Sequence, residues 1–475
     1  MSVSRLSFLT LSIAWVSLFG QYEQPWSLQR CVEYARENNL NITQARLQSR
    51  INLNDKQAAA WNYAPSVNAS ANYGINYGLN IDPVTNIISQ QTRRTSNFQL
   101  TANWVLLDGG RKFKSINQAS SNYQASIYEY EAAVNDISLN IANAYLQILL
   151  NKEIENVARE QVAISRLQRD QMDKRVQAGN NPEGDLLQLE AQLARDQQSL
   201  IAAENNVTIS KLQLANLLQL EDPADFDVAP PVSEVPEPTV ISLNPSGIYE
   251  TAVEQQPVIK GAEYRVESSD HAVGLSRAGY FPRVSFVAQV GSNYSDQIPN
   301  VTDVQTSVVP IGEVASSGEL VTSLVPQSIP IVDGTKPFTT QFEDNLNQFI
   351  GFNLTIPIFN QMAVSNDVQN AKIREDIAKL DLQREKLELR QNIFQAHADA
   401  KASYKEYVAA QKSVAASEKA FDYAEERFKV GAMNQLDFET AKNNLLSARS
   451  QMIQAKYDYL FRIKVLDFYL TNQVL

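Results

Sequence analysis

Cysteine occurs once, at Cys31, and histidine twice, at His271 and His397, in a chain of 475 residues. A lone thiol excludes an intrachain disulfide and any thiolate-rich zinc site, and two histidines leave little for metal ligation or acid–base chemistry. Neither histidine has a serine or cysteine arranged around it as a nucleophile with its base requires. The Asp108-Gly109-Gly110-Arg111 turn lacks the remaining residues of a phosphate-binding loop. No cofactor or metal is expected, and the composition leans away from an enzyme. Glycine (17) and proline (18) are scarce, charged residues make up only 20%, and hydrophobic residues 44%. That suits one long, regular, mainly helical object better than three compact domains. Basic residues are the minority, 41 against 53 acidic, for a net charge of −12. Binding to a phosphate backbone is therefore not expected, and nucleic acid drops out as a partner.

Long apolar runs are also missing, except at the front. Residues 1–20 place Arg5 before an apolar run from Leu6 to Phe19 and a small residue, Gly20. This is the order of a secretory signal peptide, and the run is short for a spanning helix. Export with cleavage near Gly20 is expected. Cys31 lies too far in to serve as a lipoprotein anchor and reads as a buried small residue of the first helix. Beyond this segment no apolar run of about 18 residues occurs, so a membrane-resident mature chain must cross as strands.

What is present is a duplication. Arg175-Val176-Gln177-Ala178-Gly179 recurs as Arg427-Phe428-Lys429-Val430-Gly431, 252 positions on. At that offset Asn140-Ile141 meets Asn392-Ile393, and Asp185 meets Asp437. Earlier, Tyr63-Ala64-Pro65-Ser66-Val67 resembles Tyr280-Phe281-Pro282-Arg283-Val284 at an offset of 217, so the second copy carries an insertion between 294 and 349. Pro223, Pro230, Pro231, Pro236, Pro238 and Pro245 separate the copies with a segment that cannot be a continuous helix. The expected organisation is a signal peptide at 1–20, a first repeat at 21–220, a linker at 221–245 and a second repeat at 246–475.

Each copy contains two segments of strict alternation. Val67, Ala69, Ala71, Tyr73, Ile75 and Tyr77 oppose Asn68, Ser70, Asn72, Gly74 and Asn76, and Phe98, Leu100, Ala102, Trp104 and Leu106 oppose Asn97, Gln99, Thr101 and Asn103. In the second copy Val284, Phe286, Ala288 and Val290 oppose Ser285, Gln289, Gly291 and Asn293, and Ile350, Phe352, Leu354 and Ile356 oppose Gly351, Asn353 and Thr355. Period two predicts strands at about 67–77, 97–107, 284–294 and 349–358. None carries a charge, whereas a soluble sheet normally puts Lys or Glu on its wet face. Short strands, apolar on one face and neutral polar on the other, fit a transmembrane β-barrel. Tyr73, Ile75, Tyr77, Phe98, Leu100, Trp104, Phe286, Val290, Phe352 and Leu354 are the expected membrane-facing residues, with Trp61, Tyr73, Tyr77 and Tyr294 available for interfacial belts. A sheet in lipid leaves no edge unpaired, and single-chain barrels start at about eight strands, so four strands demand oligomerisation. The loops at about 78–96 and 295–348 would lie on one side; the second is acidic and without clear periodicity.

Helices are expected at about 113–220 and 362–470. Leu186, Leu189, Leu193, Leu200, Ala203, Val207, Leu214 and Leu217 follow three-and-four spacing, as do Phe438, Ala441, Leu445, Met452, Ala455, Tyr459, Leu466 and Tyr469. This is coiled-coil spacing. The helices break at Ala178-Gly179-Asn180-Asn181-Pro182-Glu183-Gly184-Asp185 and Val430-Gly431-Ala432-Met433-Asn434-Gln435-Leu436-Asp437. Glycine suits the left-handed position that ends a helix; the aspartates suit either an N-cap for the next helix or a charged mouth.

The signal peptide, the duplication, two strands per copy and a helical hairpin ending in Arg-x-x-(Ala/Val)-Gly-x5-Asp together resemble the TolC-type outer-membrane efflux family. The resemblance runs from Trp26-Ser27-Leu28 and Asn38-Asn39 to Leu466. It implies a mainly α fold with a membrane β-barrel: a homotrimer closing a twelve-stranded barrel in the outer membrane, above a twelve-helix periplasmic tunnel. It implies docking of a periplasmic adaptor protein at the helical turns, which map to Arg175, Ala178, Gly179, Arg427, Val430 and Gly431, and an RND or ABC transporter of the inner membrane as the source of energy. In this family aspartates and a tyrosine–arginine network close the inner end. Asp437 matches the first aspartate, while Thr440, Phe428 and Met433 stand at the second-aspartate, tyrosine and arginine positions. With Asp185, a trimer would offer six carboxylates, which attract cations into a narrow mouth. The expected function is passive conduction from an inner-membrane transporter to the exterior, as a tripartite efflux exit or as the channel of type I protein secretion. A periplasmic coiled-coil scaffold would explain the heptads but not four uncharged alternating strands.

Overall fold

The computed structural model describes residues 25–81, 88–223, 226–230, 239–323 and 325–472. The expected signal peptide at 1–20 and the linker prolines Pro231, Pro236 and Pro238 lie outside the described residues. The chain divides into two compact units. One comprises residues 1–54, 120–268 and 375–475, the other residues 55–119 and 269–374.

Order along the chain repeats with the sequence offsets. Helices α1 (Leu28–Asn38) and α2 (Leu40–Trp61) precede strands β1 (Ser66–Ile81) and β2 (Ile88–Leu107), then helices α3 (Arg111–Gln177) and α4 (Glu183–Leu218). The second copy opens with α5 (Pro245–Gln255), α6 (Pro257–Arg277) and β3 (Arg283–Ser295). It continues through β4 (Pro299–Ser307), β5 (Pro310–Glu313), β6 (Leu320–Thr322), β7 (Gln327–Thr335), α7 (Phe338–Asp344) and β8 (Asn347–Thr355), and ends with α8 (Ala363–Lys429) and α9 (Gln435–Thr471). The starts of α1, α2 and β1 recur 217 positions on as those of α5, α6 and β3, and the starts of α3 and α4 recur 252 positions on as those of α8 and α9. Residues 295–348, which show no periodicity in sequence, hold four short strands and a helix, a correction to their reading as a featureless loop.

The helical unit is held by apolar contacts around the N-terminal segment. Trp26, Cys31, Ile141, Tyr145, Ile148, Leu214, Leu218 and Phe226 form one buried cluster. Ser27 caps α1 by accepting the Arg30 amide at 3.2 Å, which places Cys31 and Ala35 on the buried face. Trp26 pairs with Val228 in a short parallel bridge, and the Tyr145 hydroxyl donates to the Ala229 carbonyl at 2.6 Å. Next to this bridge Asp227 receives Lys152 at 2.6 Å and Lys211 at 3.0 Å. A second cluster joins Ile248 and Ala252 of α5 to Ile393, Ala400 and Leu466. At 1.5 Å per residue, the 67 residues of α3 make a helix on the order of 100 Å long. No helix among the described residues is long and apolar enough to cross a membrane.

In the other unit β1, β2, β3 and β8 form one antiparallel sheet in that order, leaving β1 and β8 as its two edges. Strands β4 and β7 make a separate hairpin, as do β5 and β6.

Candidate functional site

Strand register decides whether the alternating segments build one surface or several. Val67, Ala102, Ala288 and Ile350 lie in one cross-strand row; Ala69, Leu100 and Val290 form another, and Trp104, Phe286 and Phe352 a third. Residues directly opposite share a face, so all ten residues expected to face a membrane fall on one side of the sheet. Intervening rows place Asn68 with Thr101 and Gln289, Ser70 with Gln99, Gly291 and Asn347, and Asn72 with Asn97 and Asn293. Within the apolar face Tyr73, Tyr77, Phe352 and Leu354 are widely exposed, at 65%, 78%, 71% and 58%. Phe286 and Phe352 are in ring contact at 5.5 Å. Trp104 donates its indole N–H to the Tyr63 carbonyl at 2.7 Å.

Phe98 is placed differently from its neighbours. It packs edge-on against Phe338 and Phe342 of α7, which cover one end of the apolar face, and Phe338 also reaches Tyr294. Gln341, 1% exposed, pins this helix: its carbonyl oxygen accepts the Ser295 amide at 3.0 Å, and its nitrogen donates to the carbonyls of Ser295 and Lys336 at 2.9 and 2.7 Å. Charges bound the sheet at both ends. Arg93 and Arg94 lie in β2 before an uncharged stretch to Leu107, while β3 runs without charge from Val284 to Ser295, between Arg283 and Asp296. Asp296 accepts the Arg94 amide at 2.9 Å.

The helical unit carries the second group of candidates at its two turns. Gly179 and Gly431 have φ of +74° and +73°, the left-handed conformation that costs glycine least. The amide after each glycine reaches back five residues, from Asn180 to the Arg175 carbonyl at 2.9 Å and from Ala432 to the Arg427 carbonyl at 2.8 Å, closing the helix end. Arg175, Ala178, Gly179, Arg427, Val430 and Gly431 are all exposed, Val430 to 78%.

The aspartates are third residues of their helices, not caps. Pro182 precedes α4 without a side-chain bond, and Asn181 donates to Asp185 at 3.1 Å. Asn434 caps α9 by accepting the Asp437 amide at 2.8 Å, and its amide nitrogen donates to the Asp437 carboxylate at 2.9 Å. Both carboxylates thus sit in the first turn, where the helix dipole favours negative charge. Around Asp437 the remaining gate candidates form no polar network among the described residues. Phe428 stacks on buried Phe438 at 4.6 Å, Thr440 turns its hydroxyl to the Leu436 carbonyl at 2.8 Å, and Met433 is half-buried.

Sequence reasoning passed over Lys442, which is 2% exposed. The signal was there: Lys442 falls on the apolar stripe at the spacing Phe438, Lys442, Leu445, where a charge is out of place.

A family model described as Outer membrane efflux protein matches residues 31–219 and 248–470. Protein CyaE of Bordetella pertussis is 22% identical over 391 residues, covering 82% of this chain and 72% of that protein. Outer membrane protein TolC of Vibrio cholerae serotype O1 is 21% identical over 410 residues, covering 84% of this chain and 80% of that protein. The outer membrane channel CmeC of Campylobacter jejuni has the same fold, with a TM-score of 0.74 at 21% identity over 93% of this chain and 85% of that one.

Proposed function

The chain belongs to the outer membrane efflux protein family, whose members are transport proteins and not enzymes, and from that premise we propose that it is the exit duct of a tripartite export system. In this reading residues 1–20 are removed on export. Three copies then join β1 of one to β8 of the next, making a twelve-stranded barrel in the outer membrane and a twelve-helix tunnel in the periplasm. A periplasmic adaptor docks at the turns around Gly179 and Gly431, and an inner-membrane transporter supplies the energy. The duct itself only conducts.

One observation carries this reading: a sheet whose middle band, between Arg93 and Arg94 at one end and Arg283 at the other, is uncharged and apolar on one face, and whose edge strands β1 and β8 each pair on one side only. In lipid an unpaired strand edge costs several kcal/mol per unsatisfied backbone group, so the edges of one copy must be met by those of another. The length of the uncharged stretches supports a bilayer. Val284–Ser295 in β3 is close to the roughly 9–11 tilted residues that span the hydrocarbon core. The opposite face, lined by Asn68, Ser70, Gln99, Thr101 and Gln289, would give a neutral, weakly selective pore, with charge preference set by Asp185 and Asp437 at the helical turns.

Planar-bilayer recording tests the proposal. The purified protein should give discrete, cation-preferring conductance, and an Asp185→Ala/Asp437→Ala double variant should keep conducting with that preference reduced. Absence of conductance from folded protein contradicts the duct; unchanged selectivity in the double variant contradicts the assignment of the carboxylates.

A further inference from the structure

Helix α7 is inside out. Its buried residue is polar, Gln341 at 1% exposure, while Phe338 and Phe342 are 44% and 38% exposed. Leu346, at the entry to β8, is 48% exposed. A helix resting on a protein in water does the reverse, turning its apolar side chains inward and its polar ones out. Phe98 and Tyr294 cover the rings on one side only. The rest of that aromatic surface is open among the described residues.

The backbone around the helix is satisfied from within the chain. Strand β8 begins at Asn347, opposite Gly291, and so stops short of the last residues of β3. There two side-chain amides take the place of a strand. Gln341 meets both the amide and the carbonyl of Ser295, and Asn345 donates to the Asn293 carbonyl at 2.7 Å. The Ser292 hydroxyl donates at 2.8 Å to the Phe342 carbonyl, one of the last-turn carbonyls that a helix leaves unbonded. Water would serve these groups unaided, whereas in hydrocarbon each needs a partner in the chain. Charge is confined to the ends of the segment: from Lys336 to Thr355 only Lys336, Glu343 and Asp344 carry one, and Lys336 pairs with Asp344.

We propose that α7 is an interfacial membrane helix, seated on the lipid side of the barrel where the headgroups of the outer leaflet meet the acyl chains. Phe338, Phe342 and Leu346 turn to the acyl chains, and Lys336, Glu343 and Asp344 lie at the headgroups. The inference rests on the barrel reading, and continuity with the sheet makes the bilayer the occupant of the open rings. Phe98 and Ser292, on which α7 packs, are paired with each other in the same alternation as Leu100 with Val290, on the face that meets lipid in that reading. The height also agrees. Ser292 lies four residues along β3 from Ala288, near the middle of the uncharged stretch, which is about 13 Å of strand. This is the end of the sheet remote from the connections to α3 and α8. Interfacial helices sink roughly 5–10 Å into the boundary, shallow enough to leave charged ends wet. The helix belongs to the insertion that the first repeat lacks, so the second repeat alone supplies this collar and sets how deep the barrel sits.

Spin labelling of the full chain tests the placement. In a Cys31→Ala background, labels are attached at Phe342→Cys, Leu346→Cys, Ile350→Cys and Gln305→Cys, and the protein is reconstituted in phosphatidylethanolamine–phosphatidylglycerol vesicles. Collisions with oxygen, which concentrates in the bilayer, and with a water-soluble nickel chelate, which is excluded from it, report depth. The oxygen-to-nickel ratio at Phe342 and Leu346 should be several-fold above that at Gln305 on the β4–β7 hairpin and below that at Ile350 on the sheet. The Leu346 label leaves both rings in place and decides the matter if the label at 342 unseats the helix. A ratio equal to that of Gln305, with Ile350 in lipid, overturns the α7 inference alone. Weak collisions with both probes overturn it too, because protein such as a neighbouring copy then covers the rings. A water-like ratio at Ile350 overturns the barrel reading itself.

Discussion

Gly179 and Gly431 show how one residue type ends a helix: with φ near +74° and +73°, each accepts a backbone turn that a side chain resists. Gly179→Ala and Gly431→Ala should each cost about 1–2 kcal/mol, read as a lowered thermal midpoint. Gly184 is the internal control, since it lies within α4 without positive φ and with open space where a Cβ would be built. Gly184→Ala should raise the midpoint by up to about 1 kcal/mol equivalent. Equal signs at the three positions would contradict the conformational argument. Asp227 makes a second residue-scale case. Burial works against its charge, yet hydrogen bonds from Lys152 and Lys211 hold its carboxyl below the usual range. A lowered folded-state value contributes stability that is complete above the unfolded carboxylate range, near pH 4, and is lost as pH falls through the lowered value. Asp227→Asn should therefore destabilise the protein at pH 7 and flatten its acid unfolding below about pH 4; an unchanged acid limb in melts recorded from pH 7 to pH 2 would refute this.

At the scale of elements, α7 is the piece that local pattern hides most thoroughly. Its seven residues are too few for a periodic signal, and its anchor is Gln341, whose amide bonds are visible only once Ser295 and Lys336 are brought beside it. Gln341→Leu leaves the Ser295 amide and carbonyl without those partners. Hydrogen exchange at the Ser295 amide and across residues 338–344 should quicken in this variant, and unchanged protection would show that the aromatic contacts of Phe338 and Phe342 suffice. The four long alternating segments were readable because period two is a local property, and the long helices because glycine turns punctuate three-and-four spacing. The register that gathers Val67, Ala102, Ala288 and Ile350 into one row was not, since it depends on which strands meet. The roles at the turn were half legible. Gly179 and Gly431 announce themselves, but Asp185 and Asp437 look like caps in sequence, and only the backbone shows Pro182 and Asn434 in that position. Lys442 was legible as an anomaly in an apolar stripe, while its partners Ser165 and Gln168, 277 and 274 residues away, were not.

For the whole molecule, duplication brings the main sheet from two strands to four, leaving β1 and β8 with one open edge each among the described residues. The residues beside those edges are neutral and many are apolar, without the lysines or prolines that blunt the free edges of soluble sheets. On the proposed reading, association between copies is part of folding in the membrane. Native mass spectrometry of the mature protein released from a mild detergent tests this most directly. Three copies per particle is the predicted result, whereas a stable single chain that retains its β-sheet signal in circular dichroism would contradict the account.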